Sequence, residues 1–323
     1  YALLMFCAAS CGIVIGGPAA LLLVGPIRPD VFGGDAPDAL WRGLSTIAGS
    51  WIGGGANQTA LKEIAQAQDD QFSVMIIVDV FVANLWMPFL LIGAGMSAVI
   101  DKRLKADSTA VDELKAKVEA YQSSIARIPT FNDLMVLLGV IFAMVGVAHF
   151  MGGAISDGMG SWYAAAMADN PDSPARFLSS LKSPFFWLVF LSTVFGVALS
   201  FTPMRSYEGA GASKLASVFL YVLVATIGAK MDIGELVASW NQYWPVLVIG
   251  LLWMLVHVSI LLIVAKLIRA PFFFVAVGSQ ANVGGAASAP IVASAFSPAL
   301  APVGVLLAVL GYAVGTVGAV VCM

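Results

Sequence analysis

Two polar, glycine-rich stretches stand out in a chain that otherwise consists of long apolar runs. The first extends from Gly49 to Ala60 and reads GSWIGGGANQTA, and the second extends from Gly278 to Pro290 and reads GSQANVGGAASAP. Both begin with Gly-Ser, contain adjacent glycines and carry amide or hydroxyl side chains. Non-helical backbone at membrane depth is tolerated only where it is buried in protein or lines a water-filled cavity. We therefore expect the two stretches to meet in the membrane and to form one transport site.

These stretches offer neutral oxygen and nitrogen groups to a small solute and to an ion. Freed backbone carbonyls of a broken helix, together with hydroxyl and amide oxygens, can coordinate sodium. The positive N-terminal ends of the following half-helices favour a carboxylate or another anion. An alternative is that the small residues only permit close helix packing. The predicted substrate-binding residues are Gly53, Gly54, Gly55, Asn57, Gln58, Thr59, Gln280, Asn282, Gly284, Gly285 and Ser288.

Asp79 is an acidic residue about two turns inside a predicted span. A charge at the bilayer centre costs roughly 2.5–3.5 kcal/mol on the insertion scale, so we expect Asp79 to face the polar interior of the protein. It would there ligate sodium or carry a proton. The alternative is a structural aspartate that pairs with Asn84, a hydroxyl or a backbone break. The candidate sodium or proton site consists of Ser50, Asp79, Asn84 and Ser279.

Other titratable residues are weaker candidates. His257 lies in the middle of a predicted span, where a proton relay and a hydrogen-bonded core histidine are equally consistent with the sequence. His149 lies toward the end of a span, and Glu63 either reaches the cavity or belongs to a solvated face. Lys230 and Asp232 are expected to form an interfacial pair. Apart from sodium, no cofactor is expected.

Composition indicates a polytopic membrane protein. The chain is 60% apolar and only 11% charged, whereas a soluble domain carries about 25% charged residues. We therefore predict an all-α multi-pass protein of the cell inner membrane, with the lipid bilayer as its surroundings. No basic, aromatic-interleaved patch suggests a nucleic acid partner, and no GxxxxGK[ST] motif suggests ATP-driven transport.

Hydropathy places the elements along the chain. A hydrophilic linker at 101–130, expected to be cytoplasmic, contains the apolar periodicity of an amphipathic helix. A polar loop is expected at 154–183, at the membrane interface. Predicted spans and polar breaks lie at 1–25, 43–66 (break), 73–100, 131–152, 185–203, 214–231, 244–268, 272–296 (break) and 299–321.

The order of span, polar break and span occurs twice. Residues 1–100 would form the C-terminal part of a first transmembrane repeat, and residues 131–323 a second, complete repeat. The first repeat therefore appears incomplete, and we expect three further spans before Tyr1. Two re-entrant breaks would give the repeats opposite orientations, whereas two fully crossing breaks would make them parallel. The distribution of positive charge mildly favours full crossing. The inverted repeats found in many carriers favour re-entrant breaks.

The two stretches resemble the paired motifs of an uncharacterised bacterial family, the YjcL-like integral membrane proteins. The resemblance extends over most of the chain, including Ser200-Phe201-Thr202-Pro203 and Ile227-Gly228-Ala229. More distantly, the motifs are similar to the glycine-rich segments of sodium/glutamate and sodium/citrate symporters. That resemblance implies two inverted halves and elevator-like movement of a core against a scaffold. Asn57 stands where the symporter pattern often has a charged or imidazole group.

The function favoured by these observations is secondary active transport, symporter-like and ion-coupled, of a small polar or anionic organic solute. Alternating access of the elevator type and a homodimeric assembly are expected. A channel or a structural membrane protein is the alternative. An intramembrane enzyme is less favoured, because a serine nucleophile needs a base and an orienting partner and no local motif supplies them.

Overall fold

The computed structural model describes residues 1–25, 36, 38–170, 173–212, 214–216, 218–219, 222 and 240–322. Within these ranges the chain is almost entirely helical and contains no strand. The α-helices are α1 (Ala2–Val24), α2 (Leu40–Ala65), α3 (Asp69–Gly95), α4 (Ser97–Leu104), α5 (Thr109–Ile125), α6 (Phe131–Asp169), α7 (Pro184–Ser200), α8 (Trp240–Ile268), α9 (Phe272–Val283), α10 (Gly285–Phe296) and α11 (Ala301–Cys322). Short 3-10 helices lie at Pro174–Lys182, Pro203–Ala210 and Pro298–Leu300.

Five helices of the described chain are long and apolar enough to cross a membrane. They are α1, α3, α6, the Trp244–Ile268 part of α8, and Pro298–Cys322, which contains α11. The pair formed by α7 and Pro203–Ala210 passes the same test together but is bent by 95°. The predicted all-α polytopic membrane protein is thereby confirmed. The polar α2 is absent from this set, as expected for a segment that is not a plain lipid-facing span.

Helix α6 extends further than its predicted span. It begins with a capping box between Thr130 and Asp133 and continues without interruption for 39 residues, which is about 58 Å of helix. The predicted interfacial loop at 154–183 is therefore wrong for residues 154–169. The first proline after Phe131 is Pro171, so nothing in this stretch removes a helical hydrogen bond.

Two predictions concern parts of the chain outside the described ranges. Most of the predicted span at 214–231 and the proposed Lys230–Asp232 pair lie outside the described residues. The same holds for the Ile227-Gly228-Ala229 part of the family resemblance.

The hydrophilic linker is fastened to the start of α9. Helix α5 confirms the amphipathic helix predicted within it. Asp101, near the end of α4, accepts a hydrogen bond from the backbone N–H of Phe272 (2.6 Å), and the N–H of Asp107 donates to the carbonyl of Arg269 (2.9 Å). Burial raises the pKa of the Asp101 carboxyl, and the hydrogen bond from Phe272 partly opposes that rise. The linker is thus bonded to the loop that precedes α9, the helix in which the second polar stretch begins.

The core is a bundle of α1–α3 and α8–α11. Helix α1 packs along α8, and α2 packs along α11. The second pair approaches very closely, because a Cβ added at Gly53 would lie 2.7 Å from the Cα of Gly315. Helices α6 and α7 and the 3-10 helix Pro174–Lys182 pack together beside α2 and α11. The order α1, α2, α3 matches the order α8, α9–α10, α11, and the inverted relation of the two halves stays a prediction.

Candidate functional site

The first polar stretch breaks α2 at Gly54. This residue has φ 77° and ψ 179°, inside a helix that is otherwise continuous from Leu40 to Ala65. Such a conformation is essentially restricted to glycine. The break leaves backbone groups on both sides of Gly54 without their regular helical partners. Gly55, the next residue, is exposed and has open space where a Cβ would project.

The second polar stretch divides into α9 and α10 at Gly284 and Gly285. Gly285 lies in the left-handed region with φ 57°, which glycine adopts at little cost. Gly284 leaves room for two polar neighbours, since a Cβ there would collide with Ser288 Oγ and Gln280 Nε2. The sequence-predicted break is therefore a pair of short helices, each of 12 residues, joined at two glycines.

The two breaks meet at the ring of Tyr312 on α11. A Cβ added at Gly54 would lie 2.7 Å from Cε1 of this ring, and a Cβ added at Gly285 would lie 3.5 Å from the same atom. The hydroxyl of Tyr312 accepts a hydrogen bond from the N–H of Ala286, in the first turn of α10 (3.2 Å). The two glycine-rich stretches, more than 200 residues apart in sequence, are thus neighbours in the bundle.

An aromatic pair from α7 lies beside this meeting point. The rings of Phe185 and Phe186 are each centred 6.3 Å from the ring of Tyr312. Phe185 is 53% exposed, whereas Phe186 is buried. The peripheral helices therefore contact the core at the point where the breaks meet.

Asn57 joins the second arm of α2 to α11. Its Nδ2 donates to the carbonyl of Gly53, one turn back in α2 (2.5 Å), and to the carbonyl of Tyr312 (3.3 Å). Its Oδ1 accepts a hydrogen bond from the hydroxyl of Thr316. Asn57 is fully buried, so these bonds compensate its removal from water.

Asn282 makes the same set of bonds in the second stretch. Its Nδ2 donates to the carbonyl of Gly278, one turn back in α9 (3.0 Å), and to the carbonyl of Phe6 on α1 (3.3 Å). Its Oδ1 accepts from the hydroxyl of Ser10 (2.7 Å). In both cases the hydroxyl lies four residues after the neighbouring carbonyl, on the same face of its helix. We call these two sets of hydrogen bonds the asparagine clamps.

The asparagine clamps occupy the amide groups that were predicted to bind the substrate. Both hydrogens of each amide are already donated to backbone carbonyls. Asn57 and Asn282 therefore position the broken helices against α11 and α1 in this conformation, and direct contact with a substrate stays a prediction for both.

Asp79 lies in a buried network between α2 and α3. Its Oδ1 accepts from Trp51 Nε1 (2.6 Å), and its Oδ2 accepts from Gln58 Nε2 (3.2 Å). Ser50, the residue before Trp51, is buried as well. Trp51 in turn packs on Trp253 of α8, with ring centroids 5.2 Å apart. Asp79 is 6% exposed, and within the described residues the partners of its carboxyl are neutral donors.

Ser279 belongs to a different network. Its Oγ accepts from Trp86 Nε1 (2.9 Å) and lies 2.8 Å from His257 Nε2, while His257 Nδ1 lies 3.1 Å from the carbonyl of Ala9. A carbonyl only accepts, so Nδ1 carries the imidazole hydrogen and Ser279 donates to Nε2. His257 and Ser279 are fully buried, and this pairing of a serine with a histidine has no exposed reacting atom.

The four residues of the predicted ion site are consequently divided. Asp79 is bonded to Trp51, the residue after Ser50. Ser279 belongs to the His257 network, and Asn84 donates to the carbonyl of Val80 on its own helix (2.8 Å). Among the described residues no group of three or more His, Cys, Asp and Glu side chains is placed to hold a metal ion.

Gln280 is the polar residue of the second stretch with an unsatisfied group. Its Nε2 donates to Ser288 Oγ (2.7 Å), while its Oε1 is buried without a hydrogen-bond partner. A buried acceptor left unpaired costs about 1–3 kcal/mol. The residue is 1% exposed and lies against Gly284, so the unpaired oxygen belongs to the break.

The remaining candidates lie elsewhere or make local contacts. Thr59 is exposed and donates to the carbonyl of Gly55 (3.1 Å), one turn back. Lys62 pairs with Asp69 at the start of α3, and Glu63 is exposed. His149 is exposed on α6.

A family model described as "Protein of unknown function (DUF819)" matches residues 2–323. The chain belongs to this family. The expectation of an uncharacterised membrane protein family is confirmed, and the DUF819 match covers both glycine breaks and all five candidate spans. Comparisons with curated proteins and with solved structures found no match. The distant resemblance to sodium symporters stays a prediction.

The residues that complete the site were not singled out from the sequence. Tyr312 and Thr316 lie in α11 at a spacing of four residues, each directly after a glycine. That pattern places two polar groups and two small residues along one side of a helix. Such a pattern indicates that the last span contacts another helix closely. That this other helix is α2 follows only from the fold.

Proposed function

We propose that the protein is a secondary active transporter, symporter-like and ion-coupled, for a small polar or anionic organic solute. The observation that carries this proposal is the meeting of Gly54 and Gly285 at the ring of Tyr312. Paired broken helices from two halves of a chain characterise the midplane binding sites of carriers. A purely structural bundle needs neither break, because each one leaves backbone groups without regular partners.

The arrangement of helices suggests how alternating access would operate. The core of α1–α3 and α8–α11 carries both breaks, and α6 and α7 lie beside it. We propose that this core moves as a body, in the elevator manner, against a scaffold that includes α6 and α7. Phe185 and Phe186 would then slide past Tyr312, and the site would open to one side at a time. A homodimer formed through the scaffold would keep it in place.

The transport proposal is tested by flux in proteoliposomes. With the purified chain reconstituted and supplied with radiolabelled small carboxylates and amino acids, uptake is expected to saturate with concentration and to depend on a sodium or proton gradient. Empty liposomes and collapsed gradients are the controls. Uptake that neither saturates nor responds to either gradient would exclude coupled transport and favour the channel alternative.

We propose that Asp79, together with Ser50, couples the ion to transport. Asp79→Asn retains an oxygen for Trp51 but removes the ionisable carboxyl, so gradient-driven uptake is expected to fall at least about tenfold, a loss of 1.4 kcal/mol or more. Uptake measured against sodium concentration and against pH will show which ion dependence disappears. Asp70→Asn, at the exposed start of the same helix, is the matched control. An unchanged ion dependence in Asp79→Asn would contradict this assignment.

A further inference from the structure

The groups around the second break are chemically of two kinds. One kind is an acceptor: the buried Oε1 of Gln280 has no hydrogen-bond partner and requires a donor. The other kind consists of donors. The first turn of α10 presents the positive end of the helix dipole and backbone N–H groups, of which that of Ala286 already donates to Tyr312. The hydroxyl of Tyr312 accepts from Ala286, and within the described residues its own hydrogen has no acceptor.

These acceptor and donor groups lie close together. The amide group that carries Gln280 Oε1 adjoins the Cβ position of Gly284 through its Nε2, and the hydroxyl of Tyr312 lies 3.3 Å from the Cβ position of Gly285. Consecutive Cα atoms are only about 3.8 Å apart. One small molecule can therefore form hydrogen bonds with the unpaired acceptor and with the donors at the same time.

From this arrangement we infer the substrate class: a small carboxylate with an amino or hydroxyl group on the carbon next to the carboxylate. The carboxylate lies at the N-terminal turn of α10 and accepts the hydrogen of Tyr312. The neighbouring amino or hydroxyl group donates to Gln280 Oε1. This inference rests on the proposed transport function and specifies the substrate of the same site.

Two features of the site support this class, one over a plain carboxylate and the other over a cation. An acid without the adjacent donor would satisfy the N–H groups of α10 but would leave Gln280 Oε1 buried and unpaired. Sites built to hydrogen-bond a substrate group reject analogues that lack it, because the protein group then stays unsatisfied. A cation alone would pair with Gln280 but would face the positive end of α10.

The test is calorimetric binding to the purified chain. The probes are the proteinogenic L-amino acids, the corresponding 2-hydroxy acids and the corresponding carboxylic acids with only hydrogen at that carbon. At least one amino or hydroxy acid is expected to bind, and its unsubstituted partner is expected to bind at least about tenfold more weakly. Equal binding of the partners, or binding by none of the three series, would overturn the inference.

Variants of Gln280 test whether this residue causes the difference in affinity between an amino or hydroxy acid and its unsubstituted partner. Gln280→Met, which has similar length and no polar group, is expected to reduce the difference between partners to less than about threefold. Gln280→Leu serves the same purpose if the first variant does not fold. Gln71→Leu is the matched control, because Gln71 Oε1 is also buried without a partner but lies where α3 meets the start of α2. Discrimination that survives in the Gln280 variants would also overturn the inference.

Binding and transport can fail separately in these experiments. Selective binding without uptake in proteoliposomes would uphold the substrate class and contradict the transport proposal. Uptake of a solute from another chemical class would do the reverse.

Discussion

Gly54→Ala is expected to abolish uptake, and Gly55→Ala is expected to leave it close to the wild-type rate. At Gly54 a side chain would adopt φ 77° and ψ 179°, and its Cβ would lie 2.7 Å from the ring of Tyr312. The backbone strain alone costs about 1–3 kcal/mol. The clash would also displace the ring that both breaks contact. Uptake should therefore be lost even in Gly54→Ala protein that remains folded.

Gly55 provides the matched comparison. It is the next residue in the chain, and a Cβ there meets nothing within 4 Å. Thermal unfolding of both variants in detergent, with uptake in proteoliposomes, separates folding from function. If Gly54→Ala transported normally, or if both variants lost uptake equally, the break at Gly54 would not be part of the transport site.

The asparagine clamps are expected to yield the second large effect. Asn57→Ala and Asn282→Ala should each lower the unfolding temperature and reduce uptake at least about tenfold, because each removes the amide that bonds a hydroxyl and a backbone carbonyl of the neighbouring helix. The hydroxyl is buried in Thr316 and half-buried in Ser10. The asparagine and hydroxyl residues of one clamp should be coupled by about 0.6–1.7 kcal/mol, between the average and the maximum for hydrogen bonds between membrane helices.

Two double-mutant cycles measure this coupling. One combines Asn57→Ala with Thr316→Val, and the other combines Asn282→Ala with Ser10→Ala. Asn84→Ala is the control for stability, since the one hydrogen bond that its amide donates within the described ranges goes to Val80 of its own helix. Additive effects in both cycles would show that the clamps do not act as pairs. A strong coupling in one cycle only would contradict their equivalence.

Composition and hydropathy were sufficient to predict an all-α membrane protein and most of its spans. The length of α6 was mispredicted because its polar and small residues suggested a loop, although no proline interrupts the helix before Pro171. Glycine clusters predicted where the two helices break, because adjacent glycines remove the side chains that favour regular helix.

Partners of the site residues could not be predicted in the same way. The hydrogen bonds from Asn57 to α11 and from Asn282 to α1 each connect residues more than 250 positions apart. A single sequence contains no signal for such pairings, and hydroxyl residues such as Ser10 and Thr316 are common in apolar helices for other reasons. Asp79 was placed in the interior by the cost of burying a charge, while its donors Trp51 and Gln58 followed only from the packing of α2 on α3.

Proximity of the two breaks can be measured by cross-linking. Cysteines introduced at Gly55 and Ala286, the neighbours of Gly54 and Gly285, are treated with a short bifunctional maleimide in membranes, after replacement of Cys7, Cys11 and Cys322 by alanine. Mass spectrometry is expected to find the two peptides joined within one chain, far more often than in a control pair at Gly55 and Gly139 of α6. Cross-linking no more frequent than in the control would show that the two glycine breaks are not neighbours in the membrane.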